Sequence, residues 1–110
     1  MSKKEVKKAN IALLYVPFPD MKEARKAAKI LLKAKLIVCA NIIQNVVSIY
    51  TYNRTEQESS EVIVLFKTKK EQIFSLKKKI EHMHSYEVPA IIEIRVDSIN
   101  KSLSDYLLGG

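Results

Sequence analysis

The stretch IVCANIIQNVVSIYTY, residues 37–52, constrains this chain more than any other. It shows no helical period and is crowded with Ile, Val and Tyr, so it reads as extended chain. Its length far exceeds the usual strand of about 5–6 residues. Gln44 and Asn45 interrupt the middle, where a bulge or bend is expected. A strand this long overshoots a small subunit and leaves backbone donors and acceptors unpaired at its edge. Another copy of the chain is the simplest partner, so oligomerisation by strand pairing is expected.

The elements around it complete a pattern. NIALLYV, residues 10–16, is a short apolar strand expected to stop at Pro17. Asp20 and Glu23 read as an N-cap with its capping-box partner. Behind them Ala24, Ala27, Ala28, Leu31 and Leu32 recur at helical spacing, with lysines and Arg25 on the other face. EVIVLFKT, residues 61–68, is a second strand, antiparallel to the long one if Asn53-Arg54 makes the turn. That turn places Cys39 opposite Thr68, and a bulge near Gln44 would shift the register by about one position. Thr68 and Glu71 read as a second capping box, ahead of a helix with Ile73, Leu76, Ile80 and Met83 on its apolar stripe. PAIIEIRV, residues 89–96, is the last main strand, and a short helix near 101–108 closes the chain.

Strand, helix, strand, strand, helix, strand is the split βαβ order, an α+β fold of the ferredoxin-like βαββαβ type. Both helices lie on one face of an antiparallel sheet. The other face, which carries half of the alternating apolar residues, is left to be covered. The basic segment 1–9 is expected to be a disordered tail, and 10–110 a single domain.

Composition excludes several function classes. The 110 residues, 47% apolar with two Gly and three Pro, suit one compact domain rather than a low-complexity chain. No apolar run is long enough for a membrane span, and the N-terminus lacks the core and cleavage site of a secretory signal. A single cysteine makes no internal disulfide, so a cytoplasmic location is expected. The net charge of +7 concentrates in residues 3–8 and the lysine-rich segments 20–35 and 67–84. No aromatic residues alternate with those lysines, which argues for solvated helix faces over nucleic-acid binding.

Candidate chemistry is sparse. The only glycines are the last two residues, so there is no phosphate-binding loop. No serine sits in a nucleophile elbow and the acids are scattered, so an enzyme is not expected. Cys39 lies within an apolar strand, the setting of an inert core thiol. His82 and His84, in HMHSYEVPA, diverge on a helix and converge only if the helix ends between them. Pro89 and the extended Tyr86-Glu87-Val88 place that end there, which makes His84 a helix C-terminal residue. Lys67 precedes Thr68, and helix N-termini attract anions.

Taken together, AKLIVCANII, VVSIYTY, EVIVLFKT and HSYEVPAI resemble, in order and spacing, the CutA family of divalent-cation tolerance proteins, related in fold to PII signalling proteins. The likeness spans roughly residues 10–108. It implies a ferredoxin-like subunit in a tight homotrimer, with long strands pairing between subunits, which agrees with the overlong 37–52 segment. It also implies copper or other divalent-metal binding through Cys39 and His84, in a subunit-interface pocket with Glu61, Lys67 and Tyr86. No cofactor is obligatory. The chain departs from the family pattern at Gln44 (commonly Pro), Tyr52 (commonly Trp), Ser85 (commonly Pro), Ala90 (commonly Glu) and Gly109 (commonly aromatic). The expected function is that of a homotrimeric copper-tolerance protein. The alternative is a PII-like signalling or scaffold trimer that binds a small anionic ligand near Lys67 and the following helix.

Overall fold

The computed structural model describes residues 5–7 and 9–108. Strand β2 (Ile11–Phe18) leads into helix α1 (Met21–Lys33), then β3 (Cys39–Tyr52), β4 (Thr55–Lys69), helix α2 (Ile73–Met83) and β5 (Ile92–Arg95). The four strands form one antiparallel sheet in the order β3-β4-β2-β5. That is the ferredoxin-like arrangement expected from the sequence. A two-stranded sheet pairs β1 (Glu5–Lys7) with β6 (Ser98–Asn100), and helix α3 (Lys101–Leu108) follows. Residues 5–7 and the buried Ala9 therefore depart from the disordered tail expected over 1–9; the rest of that span, residues 1–4 and 8, lies outside the described residues.

The β3–β4 hairpin is longer than the sequence suggests. Asn53 and Arg54 turn it with φ of 51° and 63°, the doubly left-handed geometry that matches the twist of the flanking strands. Pairing carries the polar run TEQESS into β4, so local composition yields to the partner strand. The register shifts between Ile43 and Val46, with Asn45 at φ 62°, a bulge at the polar interruption. As a result Cys39 stands opposite Lys67, not Thr68.

Alternation then sorts the side chains. Leu14, Val16, Phe18, Val62, Val64 and Phe66 face the helices and make the core with Ala24, Ala27, Leu31, Leu76 and Ile80. The small alanines let α1 lie close to the sheet. Leu13, Tyr15, Ile63 and Leu65 face the other way, with Ile43 46%, Ile92 52% and Ile94 40% exposed around them. No element of the described residues covers that face. A smaller cluster of Ala9, Ile11 and Leu107 seats α3.

Several local expectations are corrected. β2 runs through Pro17, which lies beyond the last rung with β5 and one residue from the strand end, where proline is tolerated. At α1 the Asp20 side chain accepts from the Glu23 backbone N–H at 2.8 Å. Glu23 does not complete the capping box; its carboxylate accepts the Ser85 N–H at 3.0 Å. Thr68 caps no helix. It is buried in β4, and its hydroxyl donates to the Leu36 carbonyl at 2.8 Å, while a 3-10 turn (Lys70–Gln72) precedes α2.

Thr68→Val keeps the shape but leaves the Leu36 carbonyl without that donor. Urea denaturation at fixed protein concentration should show a loss of about 1–3 kcal/mol, with Thr68→Ser keeping most of it.

Candidate functional site

His84 is the point on which the site is built. As the C-cap of α2 it leaves the helix in extended conformation, and its N–H still bonds to the Ile80 carbonyl at 2.9 Å. Its ring is fully buried, stacked on Phe18 at 4.5 Å and tilted against Tyr86 at 4.8 Å. Nε2 donates to the Pro17 carbonyl at 2.7 Å, because a carbonyl can only accept. Nδ1 accepts the Tyr86 N–H at 3.1 Å, which defines the neutral Nε2–H tautomer. The Glu23 carboxylate stands 3.8 Å from Nδ1. Both ring nitrogens are thus committed to holding the chain that follows.

That chain carries Tyr86 to the hairpin. The Tyr86 hydroxyl donates to Glu61 Oε2 at 2.8 Å. Burial, and then the Glu61 carboxylate beside it, push the phenol well above its ordinary range, so it remains a neutral donor. A cavity of about 720 Å³ opens between these two residues and the distal hairpin. Ser48, Tyr50 and Tyr52 reach it from alternate positions of β3, and Ser59 reaches it from β4, with Tyr50 Oη and Ser59 Oγ 2.7 Å apart. Pro17, Glu87, Val88 and Ala90 form the opposite wall. Ala90, one of the positions at which the resemblance implied a departure, lines this cavity.

Of the expected site residues, Glu61, Tyr86 and His84 come together; Cys39 and Lys67 do not join them. Cys39 is a half-buried free thiol opposite Lys67, whose ammonium donates to Asn41 Oδ1. Lys67 lies four residues along β4 from Ile63, the partner of Pro17, which puts about 14 Å of strand between the two groups. Cys39 also belongs to the face away from the helices, whereas His84 packs on Phe18 in the helix-side core. The sheet separates them. Within one chain Cys39 and His84 do not fit a shared copper ion, and the described residues hold no group of three or more His, Cys, Asp or Glu placed to bind a metal. His82 is exposed near the end of α2. Glu23, Pro17 and Ser59 join the site without a sequence signal; Ser48 and Tyr50 stand in the family-like motif VVSIYTY.

The pH dependence of stability follows from Tyr86. Its phenol keeps its proton in the folded state above pH 10, where an unfolded tyrosine releases it. The unfolded chain then binds fewer protons than the folded one. The stabilisation is complete below about pH 10 and is lost as pH rises beyond it. Melting temperatures measured from pH 8 upward should fall less steeply above pH 10 for Tyr86→Phe than for the wild type.

The family model for CutA1 divalent ion tolerance protein matches residues 12–109. The divalent-cation tolerance protein CutA of Pyrococcus horikoshii is 38% identical over 96 residues, 87% of this chain and 93% of that protein. The crystal structure of divalent ion tolerance protein CutA1 from Ehrlichia chaffeensis superposes with a TM-score of 0.86 at 33% identity, covering 91% of this chain and 94% of that one. That of divalent cation tolerance protein Cut A1 from Thermus thermophilus gives 0.83 at 29% identity, over 88% and 94% of the two chains. Fold and sequence thus agree over nearly the whole domain, and this chain belongs to the CutA family of divalent ion tolerance proteins.

Proposed function

We propose that the protein acts as a non-enzymatic homotrimer in divalent-cation tolerance, and that it binds copper or another soft or divalent ion weakly. The observation that carries this reading is the uncovered apolar sheet face beside a hairpin that extends past the helices. Ile43, Ile92 and Ile94 on that face gain by leaving water at about 25 cal/mol per Å² buried. The free edge of β3 offers backbone groups to a second copy. Three copies, rather than two, follow from the family resemblance. Sedimentation equilibrium should give one species of three chain masses; a stable monomer at micromolar concentration would sink the proposal.

The metal interaction is read as weak because one subunit does not assemble a ligand set. Cys39, on the face offered to a neighbouring copy, is the soft ligand that a Cu(I) ion favours. Further ligands would come from another subunit. His84 serves the fold instead. Titration with Cu(I) should show weakened binding in Cys39→Ala, and unchanged affinity there would remove the metal reading. His84→Ala should lower stability by about 3 kcal/mol, since a packed ring and two hydrogen bonds are lost.

Among the described residues no helix is long and apolar enough to cross a membrane. Relatives are named as periplasmic in Archaeoglobus fulgidus and chloroplastic in Arabidopsis thaliana, so the compartment is proposed from this chain's single cysteine alone. A PII-like reading draws on a different place. Lys35 and Lys69 flank a cavity of about 470 Å³ with Thr68 and Gln72, beside the turn that starts α2. Lys67 is on the opposite face of the sheet and does not enter it. A thermal-shift screen of small anions, with Lys69→Ala as control, tests that alternative.

A further inference from the structure

Helix α1 turns a row of four lysines away from the sheet. Ala24, Ala27 and Leu31 are buried beneath it. At about 100° per residue, Lys22, Lys26, Lys29 and Lys33 fall within roughly 60° of one another on the opposite side. All four are exposed. The row spans about 16 Å of the axis, or one positive charge in about every 5.5 Å. A groove of about 640 Å³ along this face is lined by Met21, Lys22, Arg25, Lys26, Lys29 and Ile30, with no carboxylate. The face lies on the far side of α1 from the sheet, so the strand-paired assembly proposed above leaves it in solvent. We propose that this lysine row is a docking surface for linear inorganic polyphosphate, a flexible polyanion without bases or acyl chains.

The row works against the helix that carries it. Lys22–Lys26 and Lys29–Lys33 are i,i+4 neighbours and Lys26–Lys29 are i,i+3 neighbours, spacings at which like charges destabilise a helix. Lys22 also sits in the first turn, where the helix dipole disfavours a cation. A face shaped for stability interleaves acids, as α3 does with its Lys101–Asp105 pair at 2.9 Å. On α1 the two nearby acids are engaged elsewhere. Asp20 caps the Glu23 N–H, and Glu23 accepts the Ser85 N–H. None of the four lysines makes an ion pair among the described residues. A bound polyanion relieves this repulsion, and the release of its counterions favours the complex.

The partner's chemistry follows from what the row offers. A lysine ammonium is a point charge with three donors on a flexible stem, so it meets phosphate oxygens in many orientations. A repeating phosphate chain asks for charge at short intervals and nothing more. Nucleic acid would add bases to be stacked. The only ring on α1 or α2, Phe74, stands apart from the row on α2, with Lys78 Nζ 5.1 Å from its centre. A bilayer would ask for an apolar face pointing outward, whereas that of α1 is in the core. The proposal uses neither Cys39 nor the open sheet face, so it stands or falls apart from the copper and trimer readings.

Isothermal titration of the purified full chain with medium-chain inorganic polyphosphate, repeated at rising potassium chloride, tests it. Binding should be saturable, and the logarithm of the association constant should fall linearly with the logarithm of salt. Lys26→Gln with Lys29→Gln removes two contacts from the row. The slope should then shrink by at least about 1.4, at about 0.7 per contact on a single-stranded polyanion, with an affinity loss of at least about tenfold at low salt. Lys78→Gln with Lys79→Gln makes the same charge change on α2 and should alter the slope by less than half as much. Without polyphosphate the α1 variant should melt no lower than the wild type, because like-charge neighbours are gone, which separates lost binding from lost folding. Equal losses in the two variants would reduce the effect to net charge and overturn the proposal, as would no binding at low salt. Tighter binding of oligothymidylate of equal phosphate number, or binding only to phosphatidylglycerol vesicles, would overturn it in favour of nucleic acid or membrane.

Discussion

The pairing of β3 with β4 across the Asn53-Arg54 turn is the constraint on which the other features depend. The turn sets one register, and the bulge at Gln44-Asn45 shifts it by one residue before the strand reaches the body of the sheet. In a period-two element a one-residue slip moves every later side chain to the other face. Without the bulge, Cys39 would stand opposite Thr68 and point into the helix-side core. With it, Cys39 joins Lys67, Leu13 and Ile94 in a row across the open face. The same shift keeps Val46, Ser48, Tyr50 and Tyr52 on the face shared with Ser59 and Glu61, and so builds one wall of the cavity.

The second wall hangs from a single buried imidazole. His84 spends both nitrogens on backbone groups, one before α1 and one after α2, and so ties the end of β2 to the segment that carries Tyr86. Glu23 adds a bond to Ser85 from the first turn of α1. The arrangement explains why a histidine suits this position without any metal. It supplies a donor on one side, an acceptor on the other, and a flat ring that fills the space between Phe18 and Tyr86.

The fold was largely legible. Element order, the turn, the bulge, the basic helix faces and the C-terminal helix could be read because each has a local cause: periodicity, a polar interruption, or a capping residue. What could not be read was longer-ranged. Thr68 followed by Glu71 has the letters of a capping box, but its hydroxyl is claimed by the Leu36 carbonyl, 32 residues away in the chain. TEQESS has little strand propensity and is extended because β3 lies beside it. The candidate site divided in the same way. Glu61, Tyr86 and His84 meet, whereas Cys39 and Lys67 lie six residues along β4 from Glu61, with the sheet between Cys39 and His84.

By itself the sequence determined an α+β domain with one overlong strand, two amphipathic helices with lysine-rich outer faces, and half of its sheet residues unburied by those helices. Those properties rest on short-range patterning, which survives without knowledge of contacts. Only the tertiary structure decided which groups share a site. Registers combine across strands, so a single inserted residue in β3 and a proline carbonyl in β2 settle whether two side chains meet. Within one chain the expected metal pair lies apart, a free thiol on the open face and a buried histidine that holds the backbone, while Pro17, the distal hairpin and residues 86–90 come together around a cavity rich in tyrosine and carboxylate.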